Sequence, residues 1–230
     1  IVAVGSHDNT LDIIADELKG GNTGYSLSSS HVGSMGGLMA IKRGACHVAG
    51  THLLDTENGS YNLSYLMKYL PSLDVRLVNL VMRDQGFIIP KGNPKGIKDI
   101  ADLVRDDLSF LNRQGGSGTR ILLDYRLQQR DIDPAEINGY DTEEYTHMSV
   151  AVAVLSGTVD VGLGIFAAAK ALDLDFIPVV TEQYDLVIPQ QHFESAKIQA
   201  LMDIIKSNVF KMRVAALGGY ATDKTGQILM

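Results

Sequence analysis

The chain has 230 residues, 45% hydrophobic and 20% charged, enough for one large core or two small ones. Its 20 Lys+Arg stand against 27 Asp+Glu, a formal net charge of −7, so it has no global basic field and direct nucleic-acid binding is not expected. A single cysteine, Cys46, excludes an intrachain disulfide, and apolar runs such as 149–155 fall far short of the ~20 residues that span a bilayer, so no membrane insertion is expected.

The chain opens on the strand residues Ile1-Val2-Ala3-Val4, without an initiator methionine and without a charged-then-apolar leader. An excised or processed piece of a longer protein is the expectation. The compartment is read as cytoplasmic, with export as the alternative if a signal was removed. After Gly5-Ser6-His7-Asp8, the residues Leu11, Ile13, Ile14 and Leu18 recur at helical spacing. A weak strand at 25–30 follows. The stretch His31-Val32-Gly33-Ser34-Met35-Gly36-Gly37 then opens a second helix, with Ser34 as its N-cap and Gly44 at its end. Residues 47–50 read as a strand, with Cys46 just before it in the same apolar setting, and 61–70 as a helix stopped by Pro71. Two apolar runs, 75–82 and 87–89, form a strand pair or one bent strand.

Beyond the turn Pro90-Lys91-Gly92-Asn93-Pro94, the spacing predicts a short helix at 97–103, a strand at 108–111 and a helix at 121–130. The glycine-rich Gln114-Gly115-Gly116-Ser117-Gly118-Thr119-Arg120 lies between the last two. A short strand at 137–140, a helix at 150–155 capped by the segment from Thr146, a strand at 159–165 that turns at Gly164, strands at 176–180 and 184–188, and a helical run at 193–210 complete the chain. Strands alternating with helices argue for α/β architecture with mainly parallel sheets. Crossings near 82–87 and 182–189 divide it into a first lobe, 1–83 with 189–230, and a second lobe, 84–188, inserted in it.

Open parallel sheets gather ligands where strand ends enter helices. If the two lobes face each other, the turns at 5–8, 33–37, 115–120, 145–147 and 162–164 bring several helix N-termini to one cleft. Together these hold a small anion on backbone N–H groups and hydroxyls. The candidate ligand-binding residues are Ser6, His7, Ser34, Met35, Gly36, Gly116, Ser117, Gly118, Thr119, Arg120, His147 and Tyr184, with Arg83 and Gln85 behind them. Each has a plainer reading: the serines as helix caps, Arg120 on a solvated helix face, His147 as a cap-region residue, Tyr184 as hinge packing. No catalytic residue, cofactor or metal is assigned. The glycine spacings miss a nucleophile elbow by one position, there is no phosphate loop or dinucleotide fingerprint, and His7, His47, His52, Asp55 and His147 lack metal spacing.

Gly5-Ser6-His7-Asp8, His31-Val32-Gly33-Ser34-Met35-Gly36-Gly37-Leu38, Ala49-Gly50-Thr51-His52-Leu53-Leu54-Asp55, Pro90-Lys91-Gly92-Asn93-Pro94, Gly116-Ser117-Gly118-Thr119-Arg120 and Val159-Asp160-Val161-Gly162-Leu163-Gly164 occur in this order along nearly the whole chain. Together they resemble the periplasmic-binding-protein-like domain fused to MoeA-type molybdopterin biosynthesis proteins or to helix-turn-helix regulators. That domain is similar to molybdate- and tungstate-binding proteins and to LysR-type effector domains. The resemblance implies a two-lobe type II fold, each lobe a mainly parallel sheet flanked by helices. It places oxyanion-holding roles on Ser6, Ser34, Ser117 and Tyr184. His7, Asp8, His52 and Asp55 depart from the usual oxyanion ligands and leave room for a larger, pterin-like or other molybdenum-related compound.

The function expected is therefore a non-catalytic module that closes on a small anion and serves molybdopterin biosynthesis or transcriptional regulation. Its expected partners are that ligand, an enzymatic or DNA-binding domain on its N-terminal side, and a second copy in a homodimer. The alternatives are an exported receptor of an ABC-type anion transporter and an enzyme with His52, Asp55 or His147 as acid-base groups.

Overall fold

The β-branched opening run forms strand β1 (Val2–Gly5), and Leu11, Ile14 and Leu18 bury one face of helix α1 (Asn9–Gly20). Strand β2 (Ser28–His31), helix α2 (Gly33–Lys42), strand β3 (Val48–Thr51) and helix α3 (Leu63–Tyr69) follow in this computed structural model, which describes residues 1–21 and 23–230. β1 lies parallel to both β2 and β3, and α1 and α2 supply the crossovers that parallel pairing requires. Strand β4 (Val75–Ile89) runs unbroken through Arg83-Asp84-Gln85-Gly86, so the two apolar runs are one strand.

Met82 ends the first stretch of one compact unit, and Arg83–Thr181 forms a second. The second unit holds strand β5 (Phe110–Arg113), helix α4 (Gly118–Gln128), strand β6 (Glu143–Glu144), helix α5 (His147–Leu155), strand β7 (Val161–Ile165) and helix α6 (Phe166–Ala171). β7 and β6 flank β5 in parallel, while β4 joins β7 antiparallel. Strand β8 (Asp175–Pro189) carries the chain back into the first unit, which resumes at Glu182. Helices α7 (Gln190–Phe193), α8 (Ala196–Lys206) and α9 (Asn208–Leu217) and strand β9 (Tyr220–Ala221) finish it. The first unit orders its strands β2-β1-β3-β8-β4, with β9 on β4; the second orders them β4-β7-β5-β6.

Each unit has its own core. Ile14, Leu18, Val48, Leu186, Ile198, Leu201 and Phe210 pack together in the first, and Phe87, Phe110, Leu123, Leu127, Val161 and Leu163 in the second. A fully buried aliphatic side chain of this kind contributes about 2 kcal/mol.

Several local expectations are corrected. Residues 182–188, assigned to the inserted lobe from sequence, lie in the first unit because β8 pairs with β3 there, Gly50 opposite Leu186 and Thr51 opposite Asp185. Residues 137–140 form no strand. Gly139 turns at φ +97°, and a Cβ on it would lie 2.0 Å from the Phe110 carbonyl oxygen, so the backbone packs tightly on β5 and pairing is deferred to Glu143–Glu144. The short helix expected at 97–103 is a 3-10 turn, Ile100–Val104, whose capping box joins Asp99 and Asp102. The single run at 193–210 is broken into separate helices, with Ser207 capping α9 through the Phe210 N–H at 3.1 Å. Gly164 stays inside β7, where its missing side chain admits Ile88 and His147.

Candidate functional site

In the first unit the carboxyl ends of β1 and β3 meet at close range. Gly5 has φ +140°, and a Cβ there would lie 2.4 Å from the Gly50 carbonyl oxygen; a Cβ on Gly50 would lie 2.0 Å from the Tyr184 hydroxyl. Only glycine fits at either position. This contact holds Ser6, whose N–H donates to the Gly50 carbonyl at 2.9 Å and whose own carbonyl accepts the Tyr184 hydroxyl at 2.6 Å.

The Ser6 hydroxyl meets His52 Nε2 at 2.8 Å, and His52 Nδ1 meets Glu182 Oε2 at 2.8 Å, with all three side chains at most 3% exposed. Strand periodicity explains the convergence. Glu182 and Tyr184, two apart, share one face of β8 and reach His52 and Ser6, while Gln183 and Asp185 share the other. On that second face the Asp185 carboxylate accepts from Asn62 at 2.7 Å, Asn79 at 2.9 Å and Gln183 at 2.6 Å. Asn62 in turn accepts from the Leu53 N–H at 2.7 Å and the Thr51 hydroxyl at 3.1 Å. The segment that carries His52 is thus fastened from both sides. Burial pushes the Asp185 carboxyl up to about 6, against the lowering effect of its amide donors.

Helix α2 begins beside this cluster without a side-chain cap among the described residues and without an acidic residue in its first turn. Ser34 was expected as its N-cap, but Val32 holds that position and Ser34 is the second helical residue. The reason is a tertiary contact, because the buried Ser34 hydroxyl oxygen accepts the His52 N–H at 3.2 Å. The first-turn N–H groups of α2 therefore keep the partial positive charge of an open helix N-terminus, next to buried hydroxyls. Met35 and Gly36 line that first turn half-buried.

The second unit is built differently. Ser117 is the N-cap of α4, accepting the Arg120 N–H at 3.1 Å, and Thr146 caps α5 through the Ser149 N–H at 3.0 Å. Gly116, at φ +78°, makes the turn into Ser117, and Gly118 is the buried first residue of the helix. Thr119, fully buried, has a hydroxyl with no hydrogen-bond partner among the described residues, as do both amide atoms of Gln85.

Arg113 is 1% exposed. It reaches His147 Nδ1 at 2.9 Å, the Tyr145 carbonyl at 2.8 Å and the Glu144 carbonyl at 3.1 Å. A guanidinium only donates, so His147 Nδ1 accepts and the neutral ring carries its proton on Nε2 as a donor. Arg83 is likewise buried.

Other sequence candidates take structural roles. The Arg120 guanidinium lies 4.0 Å from the Tyr140 ring centroid and pairs with Asp124 at 3.1 Å and Glu143 at 3.0 Å, which orients it within its own unit rather than toward an anion. The single hydroxyl hydrogen of Tyr184 goes to the Ser6 carbonyl, so it props the loop. His7 pairs with Asp12 at 3.2 Å and packs on His31 at 4.2 Å. Asp8 is the N-cap of α1 and also accepts the Tyr220 hydroxyl at 2.8 Å, so the carboxylate beside Ser6 is held by its own helix and α9–β9 rather than left toward an anion. Asp55 organises an exposed turn through the Glu57 N–H, which lowers its carboxyl. Burial pushes the Cys46 thiol up to about 11, leaving it protonated at neutral pH.

Sequence reasoning missed Arg113 and Glu182. A charged residue closing a strand that opens with the apolar Phe110-Leu111, beside the glycine turn, was a readable signal for Arg113. Glu182 lies 130 residues from His52 and had none.

Among the described residues no helix is long and apolar enough to cross a membrane, and no His/Cys/Asp/Glu group could hold a metal ion. Two α/β units joined by long shared strands, with ligand-type donors at the carboxyl ends of parallel strands, define a binding-protein architecture. The family model for the PBP superfamily domain matches residues 15–206, and the chain belongs to that superfamily. It is 34% identical over 229 residues to the uncharacterized protein YvgK of Bacillus subtilis (strain 168), covering all of this chain and 73% of that protein. Among solved structures, it is similar to a putative phosphate ABC transporter substrate-binding protein with bound phosphate from Clostridium perfringens, with TM-score 0.68, 14% identity, and 94% of this chain and 97% of that chain covered. It is also similar to the tungstate ABC transporter structure from Geobacter sulfurreducens, with TM-score 0.64, 15% identity, and coverages of 94% and 97%. At these identities the two structures show the fold: a periplasmic-binding-protein type, α/β throughout.

Proposed function

We propose that this chain is a small-anion-binding module, non-catalytic by itself, that takes a tetrahedral oxyanion of the tungstate, molybdate or phosphate kind. The observation that carries this reading is the open N-terminus of α2 beside the buried Ser6 and Ser34 hydroxyls. The Ser34 oxygen accepts a backbone N–H, so its hydroxyl hydrogen is available to a ligand, and Ser117 is in the same condition in the second unit. Within the second unit, Arg113, His147, Thr119 and Gln85 are the buried polar side chains that could serve an anion there, while Arg120 and Tyr184 act as supports, each within its own unit. In this reading the anion serves as a signal or cargo for molybdenum-related metabolism or its regulation.

Calorimetric titration with tungstate, molybdate, sulfate and phosphate, with melting curves alongside, tests the proposal. Saturable heat and a raised melting temperature with at least one anion are expected, and neither with any of them would refute it. The second reading, a receptor that delivers the anion to a transporter, draws support from the ABC-transport neighbours. Recovery of the native protein outside the cytoplasmic membrane would favour it over a cytoplasmic sensor.

A further inference from the structure

We propose that the Ser6–His52–Glu182 chain is a proton-loaded donor relay, in which Ser6 donates to a bound anion only after the His52–Glu182 couple has taken up one proton. The inference rests on the anion-binding reading above and specifies how one of its donors works.

Hydrogen counting carries it. The contacts at Ser6 Oγ to His52 Nε2 and at His52 Nδ1 to Glu182 Oε2 are both 2.8 Å, so each must hold one hydrogen. With a neutral imidazole the ring hydrogen sits on Nδ1, facing the carboxylate. The only hydrogen left for the other contact is that of Ser6, which then points at Nε2. In this state Ser6 shows a ligand nothing but lone pairs. One added proton on Nε2 reverses the contact: the imidazolium donates to Ser6 Oγ and frees the hydroxyl hydrogen for a ligand oxygen.

A fully deprotonated oxyanion carries only acceptors, so it requires the loaded state and binds with uptake of a proton. An anion that keeps an O–H, such as hydrogen phosphate, can donate that hydrogen to Ser6 and binds the unloaded state. Ser34 and Ser117, which accept backbone N–H groups, are donors at any pH; Ser6 alone is conditional.

The surroundings fit this role. Glu182 faces the ring from β8 as the carboxylate that stabilises the imidazolium. Of the other titratable groups on that strand, Tyr184 has its ring 5.9 Å away between centroids, Asp185 is on the opposite face bonded to Asn62, Asn79 and Gln183, and Asp175 lies at the strand's far end. Ser6 approaches from the turn after β1, and Ser34 from α2 meets only the His52 backbone. The same geometry would suit a nucleophilic serine. The Ser6 N–H, however, donates to the Gly50 carbonyl, and the Ser6 carbonyl is bonded to Tyr184, so the local backbone offers no oxyanion hole at that residue.

Titration of the chain with tungstate and with phosphate, at about pH 6 and about pH 8.5, in paired buffers of different ionisation enthalpy, tests the relay. Tungstate is expected to take up close to one proton at the higher pH, with affinity falling up to about tenfold per pH unit above the titration of the couple. Hydrogen phosphate is expected to bind there without that uptake. In His52→Gln the amide nitrogen donates to Ser6 permanently, so tungstate affinity should lose its pH slope and its buffer dependence. Glu182→Gln should move the slope to lower pH.

Tungstate binding with equal heats in both buffers at about pH 8.5 would overturn the relay and leave anion binding standing. No heat with either anion at any pH would remove both. Turnover of an activated ester that disappears in Ser6→Ala would make Ser6 a nucleophile and overturn the relay. The wild-type proton count decides the matter even if a variant fails to fold.

Discussion

The helix starts at Gly33-Ser34 and at Gly116-Ser117-Gly118 look alike in sequence, yet the structure uses them differently. In the second unit Ser117 is a cap, and part of its hydrogen bonding is consumed by its own helix. In the first unit Ser34 sits one position inside α2, its oxygen is held by the His52 N–H, and the helix N-terminus stays open. A serine and glycines at a strand-to-helix turn therefore mark a helix start, but only a tertiary contact, here with the His52 N–H just after β3, decides whether that start is capped by its own side chain or left open.

The largest expected effect concerns the buried carboxylate behind His52. Asp185 is fully buried with its folded pKa raised to about 6 from 3.8, so the folded state binds more protons than the unfolded one between those values. Its contribution to stability is present below the unfolded value and is lost as pH rises through about 6, a swing of roughly 3 kcal/mol. Denaturant unfolding at a series of pH values measures it. Asp185→Asn should flatten that segment of the profile, and a parallel profile for the variant would show that the slope arises elsewhere.

Gly50→Ala comes next. Its Cβ would displace the Tyr184 hydroxyl from the Ser6 carbonyl, at a cost of about 2 kcal/mol or more from overpacking and a broken buried hydrogen bond. A fall in melting temperature together with lost anion binding is expected. Intact binding would show that the Gly5–Gly50 contact does not organise the site.

The serine pair sharpens the contrast. Ser34→Ala should weaken anion affinity about tenfold or more, as expected for a hydrogen bond to a charged ligand. Ser117→Ala should lower stability by about 1 kcal/mol through the lost cap and weaken binding by a smaller factor. Calorimetry and melting curves on both variants read the two effects separately, and binding indifferent to Ser34 would break the comparison at its centre.

The smallest effect is expected at Thr119. Thr119→Val removes a buried hydroxyl that lacks a partner among the described residues, so the unliganded protein should gain up to about 1 kcal/mol while anion affinity falls. A gain in stability with unchanged affinity would make that hydroxyl a packing remnant rather than a ligand donor.

Much of the architecture was legible because it is written in local periodicity. The run Ile1-Val2-Ala3-Val4, the helical spacing of Leu11, Ile14 and Leu18, and the apolar stretches of β4 and β8 each encode an element through its own hydrophobic pattern. The failures have two causes. At Gly139 a contact with another element, the Phe110 carbonyl, overrides the local preference, whereas the 3-10 turn at Ile100–Val104 and the break at Ser207 are set by side-chain caps that hydrophobic spacing does not register. At the site, Ser6, Ser34 and Ser117 were visible as hydroxyls next to glycines. Arg120 was visible too, but the ring of Tyr140 and two carboxylates that claim it were not.

The sequence by itself determined an α/β chain with glycine-hydroxyl turns at its strand ends, because strand and helix patterns and turn chemistry are properties of neighbouring residues. Only the tertiary structure decided which hydroxyl caps a helix, which one is tied to an imidazole, and that Ser6, His52 and Glu182 form one hydrogen-bonded chain. The pairing of Glu182 with His52 depends on the register of β8 against β3, and register is fixed by cross-strand packing between segments more than 100 residues apart, as Gly50 opposite Leu186 shows.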